Sequence, residues 1–212
     1  MSGVVVEPRG PCKGTIVWLH GLGADGHDFE PLVPVLELPQ IRFVFPNARR
    51  MPVTINGGFV MRAWYDILTM ERVSWRENGQ HIRRSAARIA GILDEAEGPT
   101  VLAGFSQGAA MALHVAHRYP RTLHGILALS GYLVLEDTLD AEGVAANAAT
   151  PMFFGHGTAD DVVPIQGGKR AYERFRTGRQ AAWHDYPMGH QVSPAEVADI
   201  KAWLHARFDE SS

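Results

Sequence analysis

The sequence predicts an α/β fold in which a mostly parallel β-sheet carries helices on both faces. Short apolar runs alternate with segments of helical periodicity along the chain, and this alternation is typical of parallel strands joined by helices. The run 15–19 is apolar almost without interruption, which indicates a strand buried on both faces. We therefore expect a doubly wound sheet.

Seven apolar runs fit the strands of this sheet. Residues 4–6 are expected to form a short edge strand, because Pro8 and Pro11 follow and proline is excluded from central strands. The other strands are expected at residues 15–19, 41–45, 101–103, 124–130, 152–154 and 181–186.

Segments with helical spacing connect these strands. Helices are expected at residues 28–36, 80–97, 108–119 and 167–177. Residues 136–149 are polar and rich in alanine, and we expect a loop with a helical turn there.

The last helix has a clear start signal. Ser193 fits the N-cap, Pro194 the first helical position, and Glu196 completes a capping box. We expect this helix to run to about Phe208 and the tail 209–212 to fray.

Residues 46–76 interrupt the alternation. Turn-forming residues stand beside aromatic ones, as in Asn56-Gly57-Gly58 and Trp64-Tyr65. We expect an excursion of loops and short strands, which is where binding residues tend to lie.

Length and composition bound the function. A chain of 212 residues is most simply one domain, residues 1–212. A net charge of −3 without a basic stripe argues against a nucleic-acid partner. Cys12 is the single cysteine, no apolar run reaches membrane-spanning length, and the first residues do not resemble a signal peptide. We expect a cytoplasmic protein without integral membrane association; the oligomeric state stays open.

The stretch 100–113 carries the strongest chemical signal. An apolar run, the turn Gly104-Phe105-Ser106-Gln107-Gly108 and a small-residue helix follow one another. This strand–turn–helix context is that of a nucleophile elbow, which exposes a serine hydroxyl above a sheet. Side chains in place of the two glycines would collide with neighbouring backbone.

A serine nucleophile needs a base and an acid, and two other loops supply candidates. His190 follows the last strand, and Asp160 and Asp161 follow residues 152–154. In a parallel sheet such loops gather at the carboxyl ends of the strands. Histidine accepts the serine proton, and a carboxylate orients the imidazole. The residues alone leave the choice between the two aspartates open.

The reaction also needs donors for an oxyanion. The backbone N–H of Gln107 follows the nucleophile at a helix N-terminus. The second candidate is the N–H of Leu22, because flanking glycines let it face the site.

With these motifs the chain resembles the carboxylesterase and acyl-protein thioesterase family of small α/β-hydrolases, and most closely its bacterial carboxylesterase branch. The matching segments cover nearly the whole chain in order: Trp18–Gly26, Pro52–Gly58 with Trp64–Asp66, Ala103–Gly108, His156–Asp160 with Val162–Pro164, and Tyr186–His190.

The resemblance implies a catalytic triad of Ser106, Asp160 and His190, with Leu22 and Gln107 as oxyanion donors. It also implies a substrate groove around Ile55, Trp64 and Leu68, without a large lid, metal or cofactor. From the residues alone, Trp64 and Tyr65 either line an acyl pocket or belong to the core, and that choice stays open. The expected function is a serine carboxylesterase for small to medium acyl chains that works through an acyl-serine intermediate. The alternative is an acyl-protein thioesterase or lysophospholipase for long, lipid-like acyl groups.

Three other functions fit parts of the sequence, and each is disfavoured for a separate reason. Gly21 to Gly26 match the glycine pattern of a dinucleotide site, but the next strand lacks the acidic residue that holds a ribose. His114 and His117 suggest a metal site, but no carboxylate accompanies them at helical spacing. A hydrolase fold that serves as an inactive binding module is disfavoured, because every catalytic group is present.

Overall fold

The structure is a computed structural model that describes residues 2–70 and 75–209. The strands are β1 Gly3–Val6, β2 Gly14–Leu19, β3 Ile41–Pro46, β4 Arg49–Val53, β5 Phe59–Ala63, β6 Ile67–Met70, β7 Trp75–Glu77, β8 Thr100–Phe105, β9 Gly125–Leu129, β10 Met152–Gly157 and β11 Ala181–Tyr186. The helices are α1 Val33–Leu36, α2 Gly79–Asp94, α3 Gln107–Arg118, α4 Leu139–Glu142, α5 Ile165–Phe175 and α6 Pro194–Asp209, with 3₁₀ turns at Glu30–Leu32, Thr54–Asn56, Glu136–Thr138 and Ala145–Asn147.

Seven of the strands form one central sheet in the order β1-β3-β2-β8-β9-β10-β11. Strand β1 pairs antiparallel with β3 at one edge, and every other neighbouring pair in this sheet is parallel. The predicted doubly wound sheet and the predicted edge strand are therefore confirmed.

The hydrophobic core lies on both faces of this sheet. Because side chains of a strand alternate between faces, Val17 and Leu19 belong to the cluster that buries helices α2, α3 and α5. Ile16 and Trp18 belong to the opposite cluster, with residues of α1 and α6. Packing on both faces holds β8 and α3 in place, and it therefore also determines the position of the turn between them.

Several expected elements differ in length from those observed, and two of these differences bear on the site. The helix expected over residues 28–36 is a 3₁₀ turn followed by the four-residue helix α1. Pro31 and Pro34 lack the N–H groups that a continuous helix would use. Strand β10 extends beyond the expected residue 154 to Gly157, so His156 lies in a strand instead of a loop.

The excursion forms two small antiparallel pairs, β4 with β5 and β6 with β7. Residues 71–74 of the expected excursion and residues 210–212 of the expected tail lie outside the described residues. Within the described residues, helix α6 spans Pro194–Asp209.

Two features that the described residues lack bear on function. In the ranges 2–70 and 75–209, no helix is long and apolar enough to cross a membrane. The same residues contain no group of three or more His, Cys, Asp or Glu side chains placed to hold a metal ion.

Candidate active site

Ser106 occupies a sharp turn between β8 and α3. Its backbone angles are φ 56° and ψ −120°, which is an unfavourable region for a residue with a side chain. The turn is possible because its neighbours are glycines. A Cβ on Gly104 would lie 2.3 Å from the Gly108 carbonyl oxygen, and a Cβ on Gly108 would lie 2.3 Å from the Leu19 carbonyl oxygen. The strain therefore follows from packing α3 directly against β8 and β2.

The structure brings Ser106, His190 and Asp160 into one hydrogen-bonded line. Ser106 Oγ lies 2.9 Å from His190 Nε2, and His190 Nδ1 lies 2.7 Å from Asp160 Oδ2. The three residues follow β8, β11 and β10, whose carboxyl ends share one edge of the sheet. With a proton on Nδ1, His190 presents a free lone pair on Nε2 to the serine hydroxyl.

Asp160 is held as a buried carboxylate. Its second oxygen accepts hydrogen bonds from the N–H groups of Val162 at 3.0 Å and Val163 at 2.8 Å. Burial by itself would raise the pKa of Asp160, but the hydrogen bonds from His190 and these two N–H groups outweigh it and lower the pKa below its usual value. Asp161 is exposed, so the structure selects Asp160 as the partner of His190.

His156 supports the loop that carries this carboxylate. Its Nε2 lies 2.9 Å from the Val163 carbonyl oxygen, which a ring N–H must donate to. Nε2 also lies 3.6 Å from Asp160 Oδ2, but burial lowers the pKa of His156. We therefore describe His156 as a neutral ring that bonds the loop backbone, not as an ionic partner of Asp160.

The segments that carry the two expected oxyanion donors lie beside Ser106: Gln107 follows it directly, and a Cβ on Gly21, which precedes Leu22, would lie 3.6 Å from Ser106 Cβ. Gln107 is the first residue of α3, where a helix leaves its N–H groups without intrahelical partners. The loop around Leu22 is fixed on both sides: Gly23 N–H donates to the Arg62 carbonyl at 2.8 Å, and Ala24 N–H donates to the Gly21 carbonyl at 3.3 Å.

His20 anchors the start of the same loop. Its Nδ1 lies 2.6 Å from the Gly21 carbonyl oxygen, and its Nε2 accepts the Ala48 N–H at 3.0 Å. Both contacts are satisfied only by the neutral ring with its proton on Nδ1. Burial lowers the pKa of His20, which favours that neutral form.

The side chain of Gln107 ties the elbow to the excursion. Its Oε1 accepts the Trp64 N–H, and its Nε2 donates to the Tyr65 carbonyl, both at 2.8 Å. The sequence predicts a role only for the backbone N–H of Gln107. A glutamine after the nucleophile, 43 residues from its partner, gives no local signal of this contact.

Trp64 does not line an open groove, which corrects the expectation for this residue. It is 1% exposed, and its indole N–H donates to the His20 carbonyl at 2.9 Å. Trp64 therefore supports the oxyanion loop from behind. The sequence pattern, an aromatic residue near two glycines, does not distinguish a residue that lines a substrate groove from one that packs in the core.

The other two residues of the expected groove remain near the surface. Ile55 is partly buried against the core, and Leu68 is 37% exposed. A residue missed by the sequence analysis is Met61, whose sulfur lies 3.8 Å from the position of a Cβ on Gly23. Strand β5 thus borders the oxyanion loop.

The fold and these contacts define an α/β-hydrolase with a serine, histidine and aspartate arranged for acyl transfer. A family description, phospholipase/carboxylesterase, matches residues 2–207. The chain belongs to the phospholipase/carboxylesterase family, whose members include serine-dependent carboxylesterases and thioesterases.

Individual relatives agree with this assignment. Acyl-protein thioesterase 1 of Yarrowia lipolytica is 32% identical over 221 residues, which cover 98% of this chain and 97% of that protein. Carboxylesterase SOBER1 of Arabidopsis thaliana is 32% identical over 209 residues, or 93% of this chain and 92% of the relative. The crystal structure of Zea mays acyl-protein thioesterase 2 superposes with a TM-score of 0.87 at 32% identity and covers 97% of this chain and 98% of its own.

These relatives come from a fungus and from plants. The resemblance to the family is thus confirmed, whereas its finer placement in a bacterial carboxylesterase branch is not specific and is corrected.

Proposed function

We propose that this protein hydrolyses long-chain acyl thioesters or esters through an acyl-enzyme on Ser106. The observation that carries the proposal is the continuous contact from Ser106 Oγ to His190 at 2.9 Å and from His190 to Asp160 at 2.7 Å. Two of the relatives are named acyl-protein thioesterases, which favours thioesters of acylated proteins over small esters.

In the first half-reaction, His190 Nε2 removes the Ser106 proton as Oγ attacks the acyl carbon. The N–H groups of Leu22 and Gln107 stabilise the negative oxygen that develops. Asp160 stabilises the imidazolium, because its carboxylate accepts a hydrogen bond from His190 Nδ1–H while the proton stays on the ring. His190 then donates its Nε2 proton to the departing thiol or alcohol, and the acyl group stays on Ser106.

In the second half-reaction, water replaces the departed group. His190 takes a proton from this water as the oxygen attacks the acyl-serine carbon. Collapse of the second tetrahedral intermediate returns the proton to Ser106 and releases the carboxylic acid.

Apolar surface beside the oxyanion loop supports a long acyl chain. Phe59 is 75% exposed and Val60 is 55% exposed, and both lie on β5. That strand is bonded to the oxyanion loop through Arg62 and Gly23. A chain that leaves the acyl carbon in this direction covers carbon surface that water otherwise contacts.

A carboxylesterase for small to medium acyl chains is the second candidate. It uses the same triad, and the name of the Arabidopsis relative supports it. The two candidates differ in the acyl group that gives the highest kcat/KM.

The test compares acetyl, octanoyl and palmitoyl groups, each presented as a 4-nitrophenyl ester and as an S-acyl-cysteine peptide. The proposal expects kcat/KM to rise with chain length and thioesters to be cleaved. A maximum at the acetyl group with inert thioesters would support the second candidate.

Ser106→Ala is the matched control, and labelling with a fluorophosphonate reports the nucleophile directly. We expect kcat to fall by up to roughly six orders of magnitude, as removal of a triad serine can do. If the folded wild-type protein showed neither turnover nor labelling, the result would contradict both candidates and would support a binding module.

A further inference from the structure

A large groove borders the triad on the side of His190. Its volume is about 860 Å³, and its walls come from residues 28–37, Phe105 and residues 190–201. The mechanism described above uses only His190 from this lining.

Aromatic contacts connect the groove with the triad. The rings of His190 and Phe105 are in contact, with centroids 4.8 Å apart. Phe105 in turn packs against Phe29, with centroids 5.8 Å apart. Phe105 precedes the nucleophile, so the base and the elbow together form part of the groove wall.

The walls are mostly apolar. Leu32 and Val35 stand on one side, and Val192, Val197 and Ala198 on the other. Charges are present as well, but they are mixed: Lys201 Nζ lies 2.7 Å from Glu37 Oε2. A ligand that fills the groove therefore gains mainly from burying carbon surface.

The chemistry of acyl transfer decides which half of a substrate can lie there. The carbonyl oxygen must face the N–H groups of Leu22 and Gln107, and the leaving atom must come within hydrogen-bond reach of His190 Nε2. The remainder of the leaving group then extends past His190, which is where this groove begins. The acyl chain must then extend in the other direction, towards β5.

We propose that this groove binds the leaving group, and that the preferred leaving group is an alcohol or thiol with a bulky apolar body. The proposal rests on the proposed function, because it needs Ser106 and His190 to act as nucleophile and base. A methyl or ethyl group would leave nearly all of the 860 Å³ empty, whereas pockets of roughly 300–1,000 Å³ hold drug-sized ligands.

The experiment varies the alcohol at a constant acyl group. Methyl butyrate and 2-naphthylmethyl butyrate have alcohols of similar acidity, so intrinsic reactivity differs little. Their kcat/KM values report every step up to release of the alcohol, and deacylation does not mask them. We expect at least about a tenfold preference for the naphthylmethyl ester, or about 1.4 kcal/mol.

Ala198→Phe fills the groove from an exposed position on α6, and it is expected to reduce that preference at least fivefold. The matched control is Ala195→Phe, on the same helix and also exposed, at a position outside the groove lining. It is expected to keep the wild-type preference.

Other results would overturn the proposal. A wild-type preference near one, with intact fluorophosphonate labelling of Ser106, contradicts the leaving-group site and leaves the hydrolase function standing. A loss of chain-length preference among 4-nitrophenyl esters in Ala198→Phe, with the alcohol preference unchanged, would assign the groove to the acyl chain. Absence of labelling and of turnover in folded protein would reject the proposed function and this inference together.

Discussion

Gln107 Oε1 accepts a hydrogen bond from the Trp64 backbone N–H at 2.8 Å. Gln107, whose backbone N–H is one of the two proposed oxyanion donors, thus also holds Trp64, which bonds to the start of the loop that carries the other proposed donor, Leu22. The amide group of Gln107 is completed by its bond to the Tyr65 carbonyl. Elbow and excursion therefore form one unit, although they are far apart in the sequence.

Gln107→Ala is expected to weaken this unit. The substitution leaves a buried N–H and a buried carbonyl without partners, which costs about 2–4 kcal/mol of unfolding free energy. It also loosens the oxyanion donors, so kcat should fall by at least about tenfold. Chemical denaturation and steady-state kinetics measure the two effects.

Gln107→Glu separates the two bonds. When ionised, the new carboxylate still accepts the Trp64 N–H, but it is buried and has no proton to donate to the Tyr65 carbonyl, so its charge is costly. We expect a stability no higher than that of Gln107→Ala at high pH, and a partial recovery as the pH falls and the carboxyl is protonated. Wild-type stability and kcat in both variants would show that the amide is not a structural link.

Asp160→Asn is expected to lower kcat by roughly four orders of magnitude, because an amide no longer selects the productive tautomer of the histidine. Asp161→Asn is the matched control one residue away on an exposed side chain. It should leave kcat close to the wild-type value. The reverse pattern would transfer the acid to Asp161.

His114 should make the protein sensitive to acid. Burial, with the nearby charge of Arg118, lowers its pKa from 6.5 to about 3. Below pH 6.5 the unfolded chain takes up a proton that the folded protein refuses. The contribution of His114 to the unfolding free energy is therefore fully present above pH 6.5 and is lost as the pH falls towards 3.

The expected loss from this one group between pH 7.5 and pH 5 is about 2 kcal/mol. His114→Gln should remove that part of the pH dependence, whatever its effect at neutral pH. Urea denaturation at the two pH values provides the comparison. An unchanged difference between pH 7.5 and pH 5 would exclude a buried neutral imidazole.

Glu196 should produce the opposite pH dependence. It is completely buried, and its carboxyl oxygens have no hydrogen bond of good geometry among the described residues. Burial raises its pKa from 4.5 to about 8; the nearby Ser193 N–H offsets only part of this effect, and Asp199 adds to the shift. Between these values the unfolded chain ionises while the folded protein stays neutral, so stability falls as the pH rises and the loss is complete above pH 8.

Glu196→Gln should abolish this loss. The unfolding free energy of the variant minus that of the wild type is expected to be roughly 2–4 kcal/mol larger at pH 9 than at pH 5. The change in unfolding free energy at the two pH values tests the sign. A variant that is equally affected at both would show that Glu196 ionises freely in the folded protein.

The parts of the site that depend on local sequence could be predicted. Ser106 stands in a five-residue turn whose glycines have a steric reason, and the order of Ser106, Asp160 and His190 follows from the order of the strands. The choice of Asp160 over Asp161 needed the resemblance to a family, because neighbouring residues of a loop give the same pattern.

Contacts between distant segments could not be predicted. The burial of Trp64 depends on its bonds to His20 and Gln107, which come from two other parts of the chain. The leaving-group groove likewise exists only where residues 28–37 meet the start of α6. The expected helix 28–36 was too long because its apolar spacing outweighed the effect of Pro31 and Pro34.

His190 follows β11, the last strand of the central sheet, whereas Ser106 follows β8 in its middle. Edge strands can open locally at a lower free energy than central ones. Catalysis thus depends on a residue that follows an edge strand of the sheet. During mild heating or at low denaturant concentration, enzymatic activity should therefore be lost before the circular dichroism of the sheet changes. The loss of activity would then report local unfolding at the β11 edge.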